Sequence, residues 1–494
     1  MTRLAIVTAL LLAGCATGSP RTPVVAVPAT FEARSDAAAA VEIDRWWASY
    51  GDPQLTVLVD EALARGFSVR EALARLDEAR AVRRTVRSQF GPQGNIEGSA
   101  SRQQTYDLDG GSGVTTGIGA GAGGGTVGGP GGGAGGGGFS IPGRLDSLAL
   151  SLPVRWEVDL WRRVGAARQY ANADLAAARF AYQGARTTLA ADVADQLFQA
   201  RGAAVQLANA QETLRIRTEI RRIVDIRAQR GLGPRADVDR VDTDLANARA
   251  EAARLEAQLF VARRALLVLL GRAGDRLDTV PIAPALSDAP PVPAGLPADL
   301  LVRRPDVLEA RSRLEASLGR LRTAELAQFP TLTLTPSAGI NVQRGVFAAT
   351  TGFWSLGAGL LVPLLDRRRL TAEVGQADAR TEQAVLAFER TVQGAFAESD
   401  QLLAQFDADR RRVAALAQGE ARGRAAYAAA TRQYGLGLTD LTTLLDVESS
   451  WRVARQAVAA ARVDALSRSV QLFKALGGGW SPTSPDPILS TGRN

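Results

Sequence analysis

A long stretch of this chain is written twice. Residues 150–270 match residues 354–474 at one constant offset of 204 positions. Ser151-Leu152 falls on Ser355-Leu356, Val158 on Val362, Leu160 on Leu364, Arg163 on Arg367, Ala173-Asp174 on Ala377-Asp378, and Gly231-Leu232-Gly233 on Gly435-Leu436-Gly437. One register held over that distance marks a duplication, so whatever the first copy folds into, the second must fold into as well. Upstream, SVREALARL (68–76) resembles DVLEARSRL (306–314) at an offset of 238, so the first copy carries extra residues between the two blocks. A Gly-rich tract from Gly110 to Gly138 supplies most of them and reads as a flexible loop with no core of its own.

Each copy changes period along its length. In SLALSLPVRWEVDL (147–160), Leu148, Leu150, Leu152, Val154, Trp156, Val158 and Leu160 alternate with a set that includes Ser151, Arg155, Glu157 and Asp159. That is a strand with one oily and one wet face. In the second copy, Leu332, Leu334, Ala338, Ile340 and Val342 share a face opposite Thr331, Thr333, Thr335, Ser337 and Asn341. Trp354, Leu356, Ala358, Leu360, Val362 and Leu364 repeat the pattern, while the partner strand of the first copy, around Pro92 to Ser101, is Gly-rich and weaker. Around these strands the pattern is helical: a shorter helix near Pro53–Gln89 and again near Pro305–Gln328, then very long proline-free helices from Gly165 to Arg230 and from Arg369 to Tyr434. At 1.5 Å per residue each long helix reaches roughly 100 Å. Their alanine-rich, partly apolar faces suit a wall with one wet surface better than a solid core.

Strands of ten or more residues are long enough to cross hydrocarbon at a tilt of about 45°. A sheet facing lipid must close on itself, because an open edge strands backbone donors and acceptors. Two strands per copy give four per chain, too few to enclose a pore, so several chains must share one barrel. The competing reading is a small soluble sheet covered by the helices.

Composition removes other classes. The 494 residues include no His, one Met and one Cys, which leaves no imidazole acid–base chemistry and no thiolate or imidazole metal site. No cofactor and no enzymatic activity are expected. The net charge of +7 comes from arginines spread among acids along helices rather than from one basic block, so no nucleic-acid partner is expected. The single cysteine ends MTRLAIVTALLLAGC, a short apolar run behind Arg3 that is too brief to span a bilayer and reads as a signal peptide. Leu12-Ala13-Gly14-Cys15 resembles the bacterial lipobox, which implies a covalent lipid on Cys15, and Ala16 after it points to the outer membrane.

The chain as a whole resembles the TolC-type outer-membrane efflux factors, in their acylated branch. The resemblance rests on the lipobox, WWASYGDPQLTVLVDEAL (46–63), WEVDLWRR (156–163), LPADLLVRRPDVLEA (296–310), AQFPTLTLTPSAG (327–339) and YGLGLTDLTTLLD (434–446). It implies a mainly α fold with a membrane β-barrel: a homotrimer in outer-membrane lipid, with a twelve-stranded β-barrel continued by a twelve-helix periplasmic α-barrel. On that pattern the chain divides into a signal peptide (1–14), an acylated segment (15–52), a first repeat (53–280), a Pro-rich linker (281–300), a second repeat (301–476) and a tail (477–494). The implied function is a passive exit duct for drugs or small toxic solutes, working with a periplasmic adaptor and an inner-membrane pump of the resistance-nodulation-division type. Two alternatives are the exit duct of a type I protein secretion system and a structural coiled-coil lipoprotein bridging envelope layers.

The same resemblance carries site residues. The Gly-Leu-Gly turns close the hairpins and match the adaptor-docking tips, which makes Gly231, Leu232, Gly233, Gly435, Leu436 and Gly437 docking candidates. Asp446 matches a position lining the closed periplasmic constriction, and the repeat offset places Asp242 at the same depth. Six such carboxylates in a trimer would repel one another and need counter-charges or cations. The common Arg three residues after the Asp is Ser449 here, so a salt-bridge lock at that spot is not expected. RRPD (303–306) reads as a helix start, with Pro305 in the first turn and Asp306 and Glu309 at its positive end. Trp46 and Trp47 are expected to pack the N-terminal segment against the helices.

Overall fold

A computed structural model of the chain describes residues 23, 28–33, 43–105, 143–292, 299, 302–345 and 348–481. The elements run α1 (Pro53–Arg65), α2 (Phe67–Gln89), β1 (Gln93–Gly94), β2 (Glu97–Thr105), β3 (Gly143–Val158), α3 (Arg163–Gln229), α4 (Arg235–Leu269), α5 (Pro305–Leu326), β4 (Thr331–Arg344), β5 (Ala349–Leu361), α6 (Arg367–Gly435) and α7 (Leu441–Ala475). The order helix, strand, strand, long helix, return helix occurs twice, as the internal repeat requires. The shorter helix of the first copy is two helices rather than the single one expected, because the backbone turns extended at Gly66 (ψ 134°).

The chain forms two compact units, one helical and one built around the sheet. In the helical unit, α3 and α6 have 67 and 69 residues. What lets them run so long is the absence of an interior proline together with small residues on the packed faces. Ala190, Ala191, Ala194, Ala200, Ala203 and Ala204 of α3 are buried, and a Cβ on Gly202 would sit 2.4 Å from Val463 Cγ2 of α7. The two backbones are that close. The core of this unit gathers Leu76, Leu197, Phe198, Leu466 and Phe473. Each such side chain contributes roughly 1.5–3 kcal/mol by leaving water.

Trp46 and Trp47 are buried in the same core, with Trp46 stacked on Phe473 at 5.6 Å. They fasten the N-terminal segment to the helices, as expected. Asp52 caps α1 by accepting from Gln54 N (3.0 Å) and Leu55 N (3.2 Å), and it also receives Arg201 of α3. Pro305 opens α5 as read from the sequence. Arg304 does more than lie outside that helix: it is nearly buried, pairs with Asp306 (2.8 Å) and Glu398 (2.7 Å), and donates to Ala475 O (3.0 Å). It therefore ties the start of α5 to α6 and to the end of α7.

The second unit is an antiparallel sheet with β3 and β4 central, β1 and β2 on one edge and β5 on the other. β1 and β2 keep one register against β3, Gln93↔Arg155 and Glu97↔Ser151, so they are one strand interrupted where it passes Pro153. Proline offers no N–H to the ladder. The same proline marks the break in β3–β4 pairing between Pro153↔Ser337 and Trp156↔Leu334. Trp161 closes the helix-connected end, packing against Phe329 with the rings tilted (centroids 5.2 Å apart) and donating to Pro330 O (2.7 Å). Among the described residues no helix is long and apolar enough to cross a membrane.

Candidate functional site

Three places in the fold carry the functional argument: the face of the sheet, the hairpin tips, and the helix ends next to those tips.

The pairing registers fix what shares each sheet face. Leu148 lies opposite Val342, Leu150 opposite Ile340, Leu152 opposite Ala338, and Ala338 in turn opposite Trp354. This face is apolar across three strands, and Leu148, Leu150, Leu152, Ile340, Trp354, Leu356 and Leu360 are exposed on it. The other face is mainly polar, with Leu145, Phe353 and Leu361 as its large apolar side chains. Ser101 bonds Ser147 (2.7 Å) and Ser337 bonds Ser355 (2.8 Å) across neighbouring strands. A sheet oily on its open face and hydroxyl-lined on the other is built to stand between hydrocarbon and water.

At the tips, both hairpins end on a left-handed glycine, but not on equivalent ones. In the first, Gly231 has φ +75°, Gly231 N bonds Ala228 O (3.1 Å) and Leu232 N bonds Arg227 O (2.9 Å). In the second, the left-handed residue is Gly437 (φ +74°), with Gly437 N on Tyr434 O (3.1 Å) and Leu438 N on Gln433 O (2.9 Å). Both are the paired closing bonds of a Schellman cap. The first turn uses the opening glycine of its Gly-Leu-Gly and the second uses the closing one, so α6 runs two residues further and Gly435 is still helical. The consequence is chemical. One tip presents Leu232 (70% exposed); the other presents Leu436 (75%) and Leu438 (74%). Leu438 had no signal in the repeat, since its counterpart is Pro234.

The candidate gate carboxylates differ as well. Asp446 is exposed on the second turn of α7, and its side chain has no ion pair among the described residues. Asp242 of α4 receives Arg221 Nε of α3 at 3.0 Å. The counter-charge that a carboxylate ring needs is thus already supplied at Asp242 from the neighbouring helix. Ser449 accepts from Arg452 (3.3 Å), so the arginine absent at 449 stands one turn on without reaching Asp446.

Beside these lies a network the sequence reading passed over. Arg217 of α3 donates to Glu448 of α7 (2.5 Å) and to Asp244 of α4 (2.7 Å), and it joins the two hairpins just behind the tips. An apolar cluster of Ile216, Ile220, Val224, Val241, Leu441, Leu444 and Leu445 surrounds it. A signal did exist: Arg217 falls on the stripe Thr213, Ile216, Ile220, Val224, where every other member is buried. One turn away, Trp451 stacks on Tyr427 (5.0 Å) and donates to Glu420 (3.0 Å). Burial works to raise the Glu420 pKa, but the bonds from Trp451 and Arg424 outweigh it and hold the carboxyl below its ordinary range.

Comparison with known proteins fits this geometry. The family model described as outer membrane efflux protein matches residues 58–272 and 296–478. This chain belongs to the outer membrane efflux protein family. It is 29% identical over 478 residues to the pyoverdine export outer membrane protein OpmQ of Pseudomonas putida, covering 96% of this chain and 97% of that protein. It is 28% identical over 490 residues to the toluene efflux pump outer membrane protein TtgC of the same species, covering 96% and 94%. Among solved structures it superposes on the outer-membrane channel OprN with a TM-score of 0.78 at 27% identity, covering 95% of this chain and 99% of that one. The fold class read from the sequence stands: a mainly α, internally duplicated chain that gives four strands to a membrane β-barrel and two long hairpins to an α-barrel. The efflux family places it in the outer membrane. Cys15 and the Gly-rich tract 110–138 lie outside the described residues.

Proposed function

We propose that three copies of this chain form the passive exit duct of a tripartite efflux system for small toxic organic solutes. A periplasmic adaptor and an inner-membrane pump of the resistance-nodulation-division type complete the system. The observation that carries this reading is the four-strand sheet, whose apolar face is exposed. Its edges, β2 and β5, have no further strand against them among the described residues. In hydrocarbon such edges must be paired, and a second and third copy are the natural partners. The polar face then lines a water-filled lumen, while the hairpins lie on the periplasmic side. A duct of this kind does no chemistry; its work is supplied by the pump. Export of pyoverdine and of toluene by the two relatives favours small organic cargo over unfolded polypeptide.

The exposed leucines at the tips suit docking of the adaptor, with Leu436 and Leu438 forming the larger contact. Asp446 and Asp242 are the groups assigned to the periplasmic constriction. A covalent lipid on Cys15 would anchor the N-terminal segment beside the barrel, several acyl chains giving durable attachment.

The test is purification from membranes in detergent, mass measurement of the complex, and reconstitution into planar bilayers, alongside deletion of the gene followed by a solvent and antibiotic tolerance panel. A trimer that conducts, and a deletion strain sensitised to small solutes, are expected. A water-soluble monomer with no conductance would overturn the duct. Retained tolerance with loss of a secreted polypeptide would move the cargo class to protein secretion.

A further inference from the structure

The apolar sheet face ends in arginines at the end away from the helices. Asp146 of β3 lies directly opposite Arg102 of β2 and Arg344 of β4, and Arg144 precedes it by two positions on the same strand, so all four side chains share the oily face. Arg102 holds Asp146 through Nε (2.7 Å), and Arg144 Nε lies 3.4 Å from the same carboxylate. The three arginines are exposed, and among the described residues Asp146 is the one carboxylate in this row. Three guanidiniums against one carboxylate leave two positive charges in excess per chain. The next row inward, Ala100, Leu148 and Val342, is already apolar.

Position gives this row its meaning, on the membrane reading proposed above. From Val158 to Leu148 the apolar face runs ten residue steps, about 33 Å along the strand and about 23 Å along the membrane normal at a tilt of about 45°. That nearly matches the apolar band of about 25 Å found on such barrels. The arginine row therefore sits where hydrocarbon gives way to headgroups, in the leaflet around the loop-connected end of the sheet. A guanidinium facing lipid at that height has one abundant anion to meet, the phosphate of a lipid headgroup, which its planar fork can take through two parallel hydrogen bonds.

We propose that Arg102, Arg144 and Arg344 form a binding site for phosphate-bearing lipid headgroups of the outer leaflet. Asp146 orients Arg102 and Arg144 and holds back part of their charge. Each chain of the assembly carries one such site, so the barrel is ringed by them.

Native mass spectrometry of the delipidated complex tests this by titration with a bis-phosphorylated glycolipid, with the same glycolipid stripped of its phosphates, and with inorganic phosphate. The wild type is expected to retain the phosphorylated lipid, and Arg102→Gln/Arg144→Gln/Arg344→Gln to weaken retention at least about ten-fold, since each arginine near an anionic headgroup contributes about five-fold. Asp146→Asn is expected to tighten it, a change that misfolding could not mimic. Arg155→Gln, on the opposite face and at the other end of the sheet, is expected to change nothing. Equal retention of both lipids, equal retention by wild type and triple variant, or displacement by millimolar inorganic phosphate would overturn the site while leaving the duct intact. Failure of the wild type to enter bilayers at all would overturn both.

Discussion

Arg217 on α3 and Glu448 on α7 form an ion pair at 2.5 Å with both side chains withdrawn from water, 7% and 1% exposed. Asp244 on α4 holds the other arm of the guanidinium at 2.7 Å, so one side chain binds three helices and both hairpins. Such a pair contributes little net stability when whole, because desolvation offsets most of the attraction, yet removing one partner strands a buried charge.

Glu448→Ala leaves Arg217 with Asp244 as its remaining carboxylate and one buried arm unsatisfied, and is therefore expected to destabilise the helical unit by about 1–3 kcal/mol. Arg217→Met with Glu448→Leu should recover most of that loss, since apolar side chains of similar size fit the surrounding cluster. Asp244, which is part-exposed, can then turn to water. Thermal melts followed by helical circular dichroism check both. A double variant as damaged as the single would show that the pair stabilises in its own right.

The glycines of the two turns make opposite predictions at matching sequence positions. Gly231→Ala and Gly437→Ala each force a Cβ into a left-handed conformation and should cost about 1–2 kcal/mol. Gly435→Ala, at the last residue of α6 with nothing within 4 Å of the added Cβ, should be neutral or stabilise by up to about 0.5 kcal/mol. Hydrogen exchange of the amides flanking each tip, compared across the three variants, reads the difference locally. Equal protection loss for Gly231→Ala and Gly435→Ala would mean that the turns are equivalent after all.

Which features were legible follows from how local their causes are. Period-two alternation in β3, β4 and β5 needs no partner to be seen, and neither does the absence of proline from α3 and α6. β2 was faint because its residues on the oily face are Gly98, Ala100, Arg102 and Gln104, which offer no stripe to read. The arginine row was hidden for the same reason: Arg102, Asp146 and Arg344 meet only once the registers are known. The two-residue offset between the tips could not be read, because each Gly-Leu-Gly offers two positions tolerant of a left-handed conformation and the string alone does not choose. Arg217 and Glu448 are 231 positions apart, and a pair that distant leaves only the oddity of a charge on a buried stripe.

Acid should expose the contribution of Asp52. Burial works to raise its pKa, but the bond and charge of Arg201 and the amides of Leu55 and Gln54 outweigh it and hold the carboxyl below its ordinary value of 3.8. A carboxyl depressed in the folded state gives stability that is fully present above the unfolded pKa and lost as pH falls through the folded one. Asp52→Asn is accordingly expected to lower the melting temperature at pH 7. The gap to wild type should close as pH falls below about 4. Melts of both proteins at pH 7, 5 and 3 measure it, and a gap as wide at pH 3 as at pH 7 would assign the effect to capping geometry rather than charge.

The two constriction candidates should differ in what they do to ions. Arg221 neutralises Asp242 at 3.0 Å, whereas Asp446 has no such partner among the described residues. In a trimeric duct, Asp446 would present three carboxylates of like charge at one depth, attracting cations into the narrow end. Asp446→Ala should reduce the preference for cations over anions, read as a reversal potential under a salt gradient in planar bilayers. Asp242→Ala leaves Arg221 with only the more distant Asp225 (3.9 Å) and should shift selectivity the same way, toward anions, but by a smaller amount at high salt, where an exposed guanidinium is screened. With both aspartates replaced, the closed-state conductance should rise. An unchanged current in the double variant, together with unchanged selectivity in Asp446→Ala, would remove both residues from the constriction.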